Sequence, residues 1–221
     1  MAEFDLSTRG GRLRTYLDYL WNDHAYLRLR FTNAHWVSDE LLRTNQPWPF
    51  QLAHWKAQGI RTIVNLRGGF DASFHALEKD ACHRLGLKMV DFTITSREVP
   101  SRVRVHGAKA LFDSLEYPAL MHCKSGADRA GIMSVFYLHF RKGLPIREAM
   151  EQLSLRYLHV KHGKTGVLDY TFERYLAEGE PKGQTFLEWV DSPAYDVDAI
   201  KRDFRSNMWG RLLTEGLLRR E

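Results

Sequence analysis

Cysteine is scarce in this chain: Cys82 and Cys123 are the two among 221 residues. Two sulfurs cannot supply the disulfide framework that staples small exported domains, so each is expected as a free thiol in a reducing compartment and has to be judged by its neighbours. Long apolar runs are lacking as well. The longest, Ile132 to Phe140, falls short of the roughly 20 residues that span a bilayer. The N-terminal MAEFDLSTRGGRLRTYL has none of the continuous apolar stretch that directs export. Both absences point to a cytoplasmic protein. Internal repeats and low-complexity linkers are missing too, which leaves one folded domain as the expectation.

There is no excess of acid either. The formal net charge is +5, and between His122 and Gly166 eight basic residues stand against three acidic ones, so that segment carries the whole surplus. A basic field in one place suits an anionic ligand, although solvated helix faces would give the same count. No nucleic-acid-binding motif accompanies the charge, and nucleic acid is not expected as a partner.

What is present reads as alternating strand and helix. LLRTNQPWPFQLAHWKAQGIRTIVNLRGG gives a short strand, a turn at Gln46 to Pro49, a helix to Gln58 and a strand from Ile60 to Leu66. A helix follows, with Ser73 as its N-cap and Gly86 ending it, then the strand LKMVDFTI. A third helix after Pro100 leads to the strand PALMHC. This alternation predicts an α/β fold: a central, mostly parallel sheet flanked by helices. Beyond Phe140 the texture turns helical. LPIREAMEQLSLRYL starts with proline at a first-turn position, and TGVLDYTFERYLAEG reads as a helix capped by Thr165 and closed by Gly179. The expected layout is an N-terminal helical segment over 1–36, a main domain over 37–180 and a helical extension over 181–221 packed on the same domain. In that extension Phe204, Met208, Trp209, Leu212, Leu213, Leu217 and Leu218 lie among arginines. They read as packing residues, or as a basic amphipathic helix resting on a membrane; the N-terminal RLRTYLDYLWNDHAYLRLRF raises the same question, with acidic residues nearly cancelling its arginines.

The most informative stretch is PALMHCKSGADRAGIMSVF, where an apolar run stops at a cysteine and resumes as a helix. A thiol at its ordinary pKa is mostly protonated at neutral pH, so a nucleophilic cysteine needs positive potential around it. Residues 124–129 can provide it. Their amides can form an anion nest, the helix starting near Arg129 aims its positive end at the same spot, and Lys124 and Arg129 are cations. Gly126 permits a tight bend, and Gly131 a close helix approach. The same cradle would hold a phosphate, with the fork of Arg129 gripping two oxygens.

His122, Cys123, Gly126 and Arg129 thereby reproduce the His-Cys-x5-Arg signature of the protein tyrosine phosphatase superfamily, at the strand-to-helix turn that family requires. Upstream, LLRTNQP and GIRTIVNLR are similar to the strands that open small, dual-specificity-type bacterial and fungal phosphatases. The resemblance covers about Leu41 to Lys142. It implies a phosphomonoesterase in which Cys123 attacks phosphorus, a general acid protonates the leaving oxygen and water hydrolyses the cysteinyl phosphate, with no metal or other cofactor. Lys124, Ser125, Gly126, Ala127 and Asp128 would form the phosphate-binding loop, and His122 would hold that loop and tune the thiol. By analogy the acid is Asp91, 32 residues before the cysteine; Glu98 and the in-loop Asp128 remain candidates. Where the family usually carries Ser or Thr after the arginine, this chain has Ala130, which points to slow phosphoenzyme breakdown or to help from Ser125 or Ser134.

The implied substrate is a phosphorylated protein. Lys124 keeps open a phosphoinositide, inositol phosphate or other phospholipid, since relatives with Cys-Lys loops often take these, and terminal helices touching the inner membrane face would suit that class. A phosphate-reading module without turnover is the third possibility. Arg67 and Arg97 could border the cleft or simply face solvent. Cys82 reads as a small core residue, with a role as resolving thiol the alternative. His159 and His162 have one-turn spacing, but no further ligand nearby suggests a metal site.

Overall fold

A computed structural model describes residues 4–206, and these divide into two compact units. The first takes the chain up to Ile94 together with Ser114–Ala130; the second takes Thr95–Asp113 and the chain from Gly131 on.

The first unit is built on a five-stranded sheet of β1 (His35–Trp36), β2 (Leu41–Thr44), β3 (Thr62–Asn65), β4 (Lys88–Asp91) and β5 (Ala119–His122), in the order β1-β2-β5-β3-β4. Only β1 runs antiparallel, so the sheet is mostly parallel as expected, with β5 at its centre. Residues of β2, β3 and β5 are buried throughout, as the central strands of parallel sheets are, whereas β4 lies at an edge and is half exposed. The two-residue β1 has too little alternation to be legible in sequence, and it falls in the segment expected to be helical.

Three helices accompany this sheet: α1 (Arg9–Trp21), α2 (Pro49–Ala57) and α3 (Ser73–Leu85). Thr8 caps α1 by accepting from the Gly11 amide at 3.0 Å. Pro49 opens α2 where its missing N–H costs nothing, and Gly86 closes α3 with φ of 63°. Ser73 is not the N-cap of α3. Ala72 holds that extended position, no side chain caps the helix, and Ser73 is buried as its first helical residue. Leu42, Leu52, Ile63, Ala81, Cys82 and Leu120 form the heart of the core in this unit.

The second unit is helical. It contains most of α4 (Arg102–Ser114) and α5 (Asp128–Phe140), then α6 (Ile146–Ala149), α7 (Val167–Glu178) and α8 (Phe186–Asp191), with residues 197–206 helical again. Aromatic rings fill its core, and Phe186 meets Phe136, Phe172, Tyr175 and Trp189 at centroid distances of 5.3 to 6.1 Å. Two expectations are corrected here. LPIREAMEQLSLRYL is not one helix: α6 lasts four residues, and two 3-10 turns follow on either side of an extended Ser154 (φ −144°). At α7 the capping position belongs to Gly166, while Thr165 sits in a 3-10 turn and donates to Val160 O at 3.2 Å. Of the apolar tail residues, Phe204 packs on the Tyr170 ring at 5.7 Å, and those from Met208 on lie outside the described residues.

Candidate active site

β5 delivers His122 to the middle of the sheet, where its carbonyl accepts from the Leu66 amide at 3.0 Å. The chain then turns through Cys123–Ala127 and enters α5 at Asp128. Four successive carbonyls of this turn are pinned from outside. Gln46 N donates to Lys124 O at 3.4 Å, Asn33 Nδ2 donates to Ser125 O at 3.0 Å, and Arg43 Nη2 donates to both Gly126 O and Ala127 O at 2.9 Å. In a planar trans peptide the N–H points opposite to the C=O, so anchoring these oxygens on the scaffold turns the amides of residues 125–128 the other way. They form the nest. The Gly126 amide already donates to Cys123 Sγ at 3.2 Å.

Glycine is required at 126. Its φ is +75°, and a Cβ there would stand 2.8 Å from both Thr44 C and Asn45 N, inside the backbone that continues β2. Cys123 and Ala127 are buried, Lys124 and Ser125 are exposed, and Asp128 and Arg129 are half-buried. No hydrogen bond or ion pair among the described residues engages the Arg129 guanidinium, so its fork is available to an anion beside Cys123. Ala130 is fully buried and carries no hydroxyl.

Lys124 leads to a cluster that sequence reasoning missed. Its Nζ lies 3.3 Å from Asp23 Oδ1, and Asp23 also pairs with Arg28 and, at 2.6 Å, with Arg67. Burial pushes the Asp23 carboxyl up, but the hydrogen bond and charge of Arg67 and the charges of Arg28 and Lys124 outweigh it and hold the group below its usual range. Arg67 further donates to Gln46 Oε1 at 3.0 Å. It is therefore an internal strut. Arg97 belongs to the second unit, as does Glu98, whose carboxylate pairs with Lys201.

Asp91 ends β4. Its Oδ1 accepts from Asn65 Nδ2 at 2.8 Å, and His75 Nε2 lies 3.1 Å from both carboxylate oxygens. Asn65 of β3 pairs in register with His122 on one side and Asp91 on the other, which sets Asp91 level with the residue before Cys123, two strand spacings or about 10 Å away. His122 itself is fully buried, with Nε2 2.7 Å from Glu78 Oε1. Cys82 lies in the core, where burial first and the charges of Glu78 and Asp91 next push its thiol up and keep it protonated. In the second unit His159 is paired with Asp169 at 2.6 Å, and no cluster of three or more metal-ligating side chains occurs among the described residues. Nor is any helix among them long and apolar enough to cross a membrane.

Arg43, Asn33, Glu78 and Asp23 come from 45 to 100 residues upstream of the loop, so no local spacing announces them. The one signal was polarity out of place: an arginine within LLRT and a glutamate on the apolar face of α3.

Against this geometry the comparisons fall into place. A family model described as "DSP-PTPase phosphatase fused to NAD+ Kinase" matches residues 38–168, more than half of the chain. Among solved structures, Tk-PTP in its active form is 20% identical with a TM-score of 0.51, covering 64% of this chain and 97% of that one. TpbA of P. aeruginosa is 16% identical with a TM-score of 0.50, covering 78% and 90%. PTPMT1 in complex with PI(5)P is 16% identical with a TM-score of 0.50, covering 65% and 97%. Identities this low speak for the fold alone. No curated protein matches the chain.

Proposed function

The chain belongs to the family of dual-specificity-type phosphatases described as fused to NAD+ kinase, and on that premise we propose that it is a cysteine-dependent phosphomonoesterase acting on phosphorylated protein side chains. The observation that carries this reading is the loop whose four pinned carbonyls turn the intervening amides toward Cys123 Sγ, with Arg129 uncommitted beside it.

In the first step the Cys123 thiolate attacks phosphorus in line, the S–P bond forms as the P–O bond to the leaving group breaks, and an acid gives that oxygen its proton. Inward amides and the Arg129 fork meet the charge on the three equatorial oxygens. In the second step water attacks the same phosphorus, the S–P bond breaks, and inorganic phosphate leaves with the thiolate restored. Asp91 is the proposed acid, since its carboxylate stands level with His122 at the same end of the sheet and keeps partial exposure, 30% for the side chain. Asp128, at the mouth of the loop, is the second candidate. Without a hydroxyl at Ala130, the second step is the one expected to limit turnover.

Hydrolysis of p-nitrophenyl phosphate tests the chemistry. The wild type should release p-nitrophenol and Cys123→Ser should not; equal release by both would defeat the reading.

A specific feature favours a second substrate class, a phospholipid. On α1 the side away from the core carries Leu13, Leu17 and Trp21, which are 61%, 47% and 63% exposed, where polar residues are the rule. Arg9 and Arg14 of α1 and Arg30 farther along the chain are exposed without an ion pair among the described residues, whereas Asp23, which seemed in sequence to offset such arginines, is consumed by Arg67, Arg28 and Lys124. An exposed apolar helix face with uncompensated arginines suits an anionic bilayer. Phosphotyrosyl peptides and vesicle-borne phosphoinositides assayed side by side distinguish the classes: a preference for vesicles that vanishes in Leu17→Glu would install the lipid reading, and indifference to vesicles would remove it.

A further inference from the structure

The loop has two cations, and the structure treats them differently. No hydrogen bond or ion pair among the described residues engages Arg129, whereas the Lys124 ammonium lies 3.3 Å from Asp23 Oδ1. The Lys124 side chain is 46% exposed, so without that contact its flexible stem would be free to follow a ligand. Asp23 is a fixed partner. Its side chain is 10% exposed, Arg67 grips both oxygens (Nη2 to Oδ1 at 2.6 Å and Nη1 to Oδ2 at 3.0 Å), and Arg28 pairs with Oδ2 while donating to the Asp23 carbonyl at 3.2 Å. The turn that carries it is tied down as well, since Trp48 Nε1 donates to Ala25 O at 3.0 Å and Gln51 Nε2 to Arg28 O at 3.1 Å. With the carboxylate already in place, the ion pair costs the ordering of one side chain and not two. Burial raises the Asp23 carboxyl, but Arg67, Arg28 and Lys124 hold it below its usual range, so its charge is present at neutral pH.

Neither arginine is left over for a ligand. The Arg28 and Arg67 side chains are 6% and 7% exposed, and the Arg67 guanidinium also covers the Phe74 ring at 3.6 Å and donates to Gln46 Oε1 at 3.0 Å. Lys124 is the exposed cation of this cluster. A second anionic group on the substrate, drawn to Lys124, must break its ion pair or share the ammonium with a carboxylate that cannot move away, and like charges this close repel. Asp23 precedes residues 38–168, the stretch that the family model matches, so the restraint comes from the N-terminal segment. We propose that Asp23 is a positioning residue that sets specificity: by binding Lys124 it keeps that cation from a second anionic group and selects substrates whose phosphate stands alone. The inference rests on the phosphatase reading and narrows it to singly phosphorylated groups. The phosphate itself is left to the loop amides and the Arg129 fork.

The test compares kcat/KM for loss of phosphotyrosine from two peptides, one with neutral flanks and one carrying a phosphoserine beside the phosphotyrosine, followed by tyrosine fluorescence. Each variant is read as the ratio of the doubly to the singly phosphorylated peptide, which cancels any general loss of activity. Asp23→Asn should raise the ratio about fivefold, the worth of one partly buried ion pair, through KM and not kcat. Lys124→Met should move it by less than about twofold, because Asp23 already holds the ammonium. In the double variant the rise should vanish, since no ammonium is left to release. An unchanged ratio in folded Asp23→Asn overturns the proposal, and so does a rise that survives in the double variant. Where Asp23→Asn does not fold, Lys124→Met decides: a ratio that holds supports the proposal, and a several-fold fall would put the ammonium on the second phosphate in the wild type and defeat it. If neither the peptides nor p-nitrophenyl phosphate are hydrolysed, the phosphatase reading falls, and dissociation constants of the same two peptides, from calorimetry, put the same ratios to this proposal.

Discussion

In the first unit the side chains withdrawn from solvent include Arg43, Gln46, Glu78 and His122; in the second they include Phe136, Phe172, Phe186, Trp189 and Tyr195, with the His159–Asp169 pair and the small hydroxyls of Ser134 and Thr171 as the buried polar groups. Rings can shift by tenths of an ångström against one another and lose little, since each atomic contact is weak and nondirectional. A guanidinium bonded to two carbonyls cannot. Polar burial, which costs free energy unless partners are placed well, is concentrated in the unit that must hold a loop in one orientation. The helical unit, with no such loop to orient, is stabilised by aromatic bulk.

This contrast can be broken at several points. The largest effect is expected from Arg129→Ala, which should lower kcat/KM on p-nitrophenyl phosphate by about a thousandfold, as loss of a preorganised donor does, with little change in melting temperature because the side chain supports nothing else. Substantial unfolding of this variant would mean the guanidinium is structural. In the second unit Phe186→Ala should cost about 3–5 kcal/mol of stability, read by chemical denaturation, and leave kcat/KM on p-nitrophenyl phosphate unchanged at temperatures where the protein is folded. A reduced kcat/KM there would show that aromatic packing also orients the loop. Arg43→Met should cost about 2–3 kcal/mol through its two carbonyl contacts and, unlike Phe186→Ala, reduce turnover at temperatures where the protein is folded.

The smallest effect is expected at Asp23, and it depends on pH. Its carboxyl is held below the ordinary 3.8, so the unfolded chain binds the proton more readily than the folded one. The stabilisation is present in full above about pH 5 and is lost as pH falls through the folded value. Asp23→Asn should therefore be less stable than wild type near pH 7, with the gap closing below about pH 4. A gap that stays constant with pH would assign the loss to hydrogen bonding alone.

The loop from Cys123 to Arg129 was legible because its parts are contiguous: strand, bend, cations and helix start follow one another within ten residues, and their spacing is the chemistry. Helix α3 could be read for a similar reason, being periodic and closed by Gly86. The buttress could not. Arg43, Asn33 and Gln46 reach the loop only because β2 and its flanks lie beside β5, a pairing of strands almost 80 residues apart in sequence. α6 failed for a local cause, since the extended Ser154 and the left-handed Leu158 (φ 66°) interrupt a pattern that hydrophobic periodicity alone would continue. For the N-terminal stretch the sequence raised the question of a membrane-facing helix but weakened it by counting charges along the chain, whereas the fold spends Asp23 internally while Arg9, Arg14 and Arg30 stay outside.

The strand order has a last consequence. β5 has a ladder on each side, to β2 and to β3, and two further strands, β1 and β4, form the rims. Fraying that begins at either rim must undo two ladders in succession before it loosens the strand from which Cys123 hangs. On gentle heating the outermost pairings can come and go while Cys123 keeps its place.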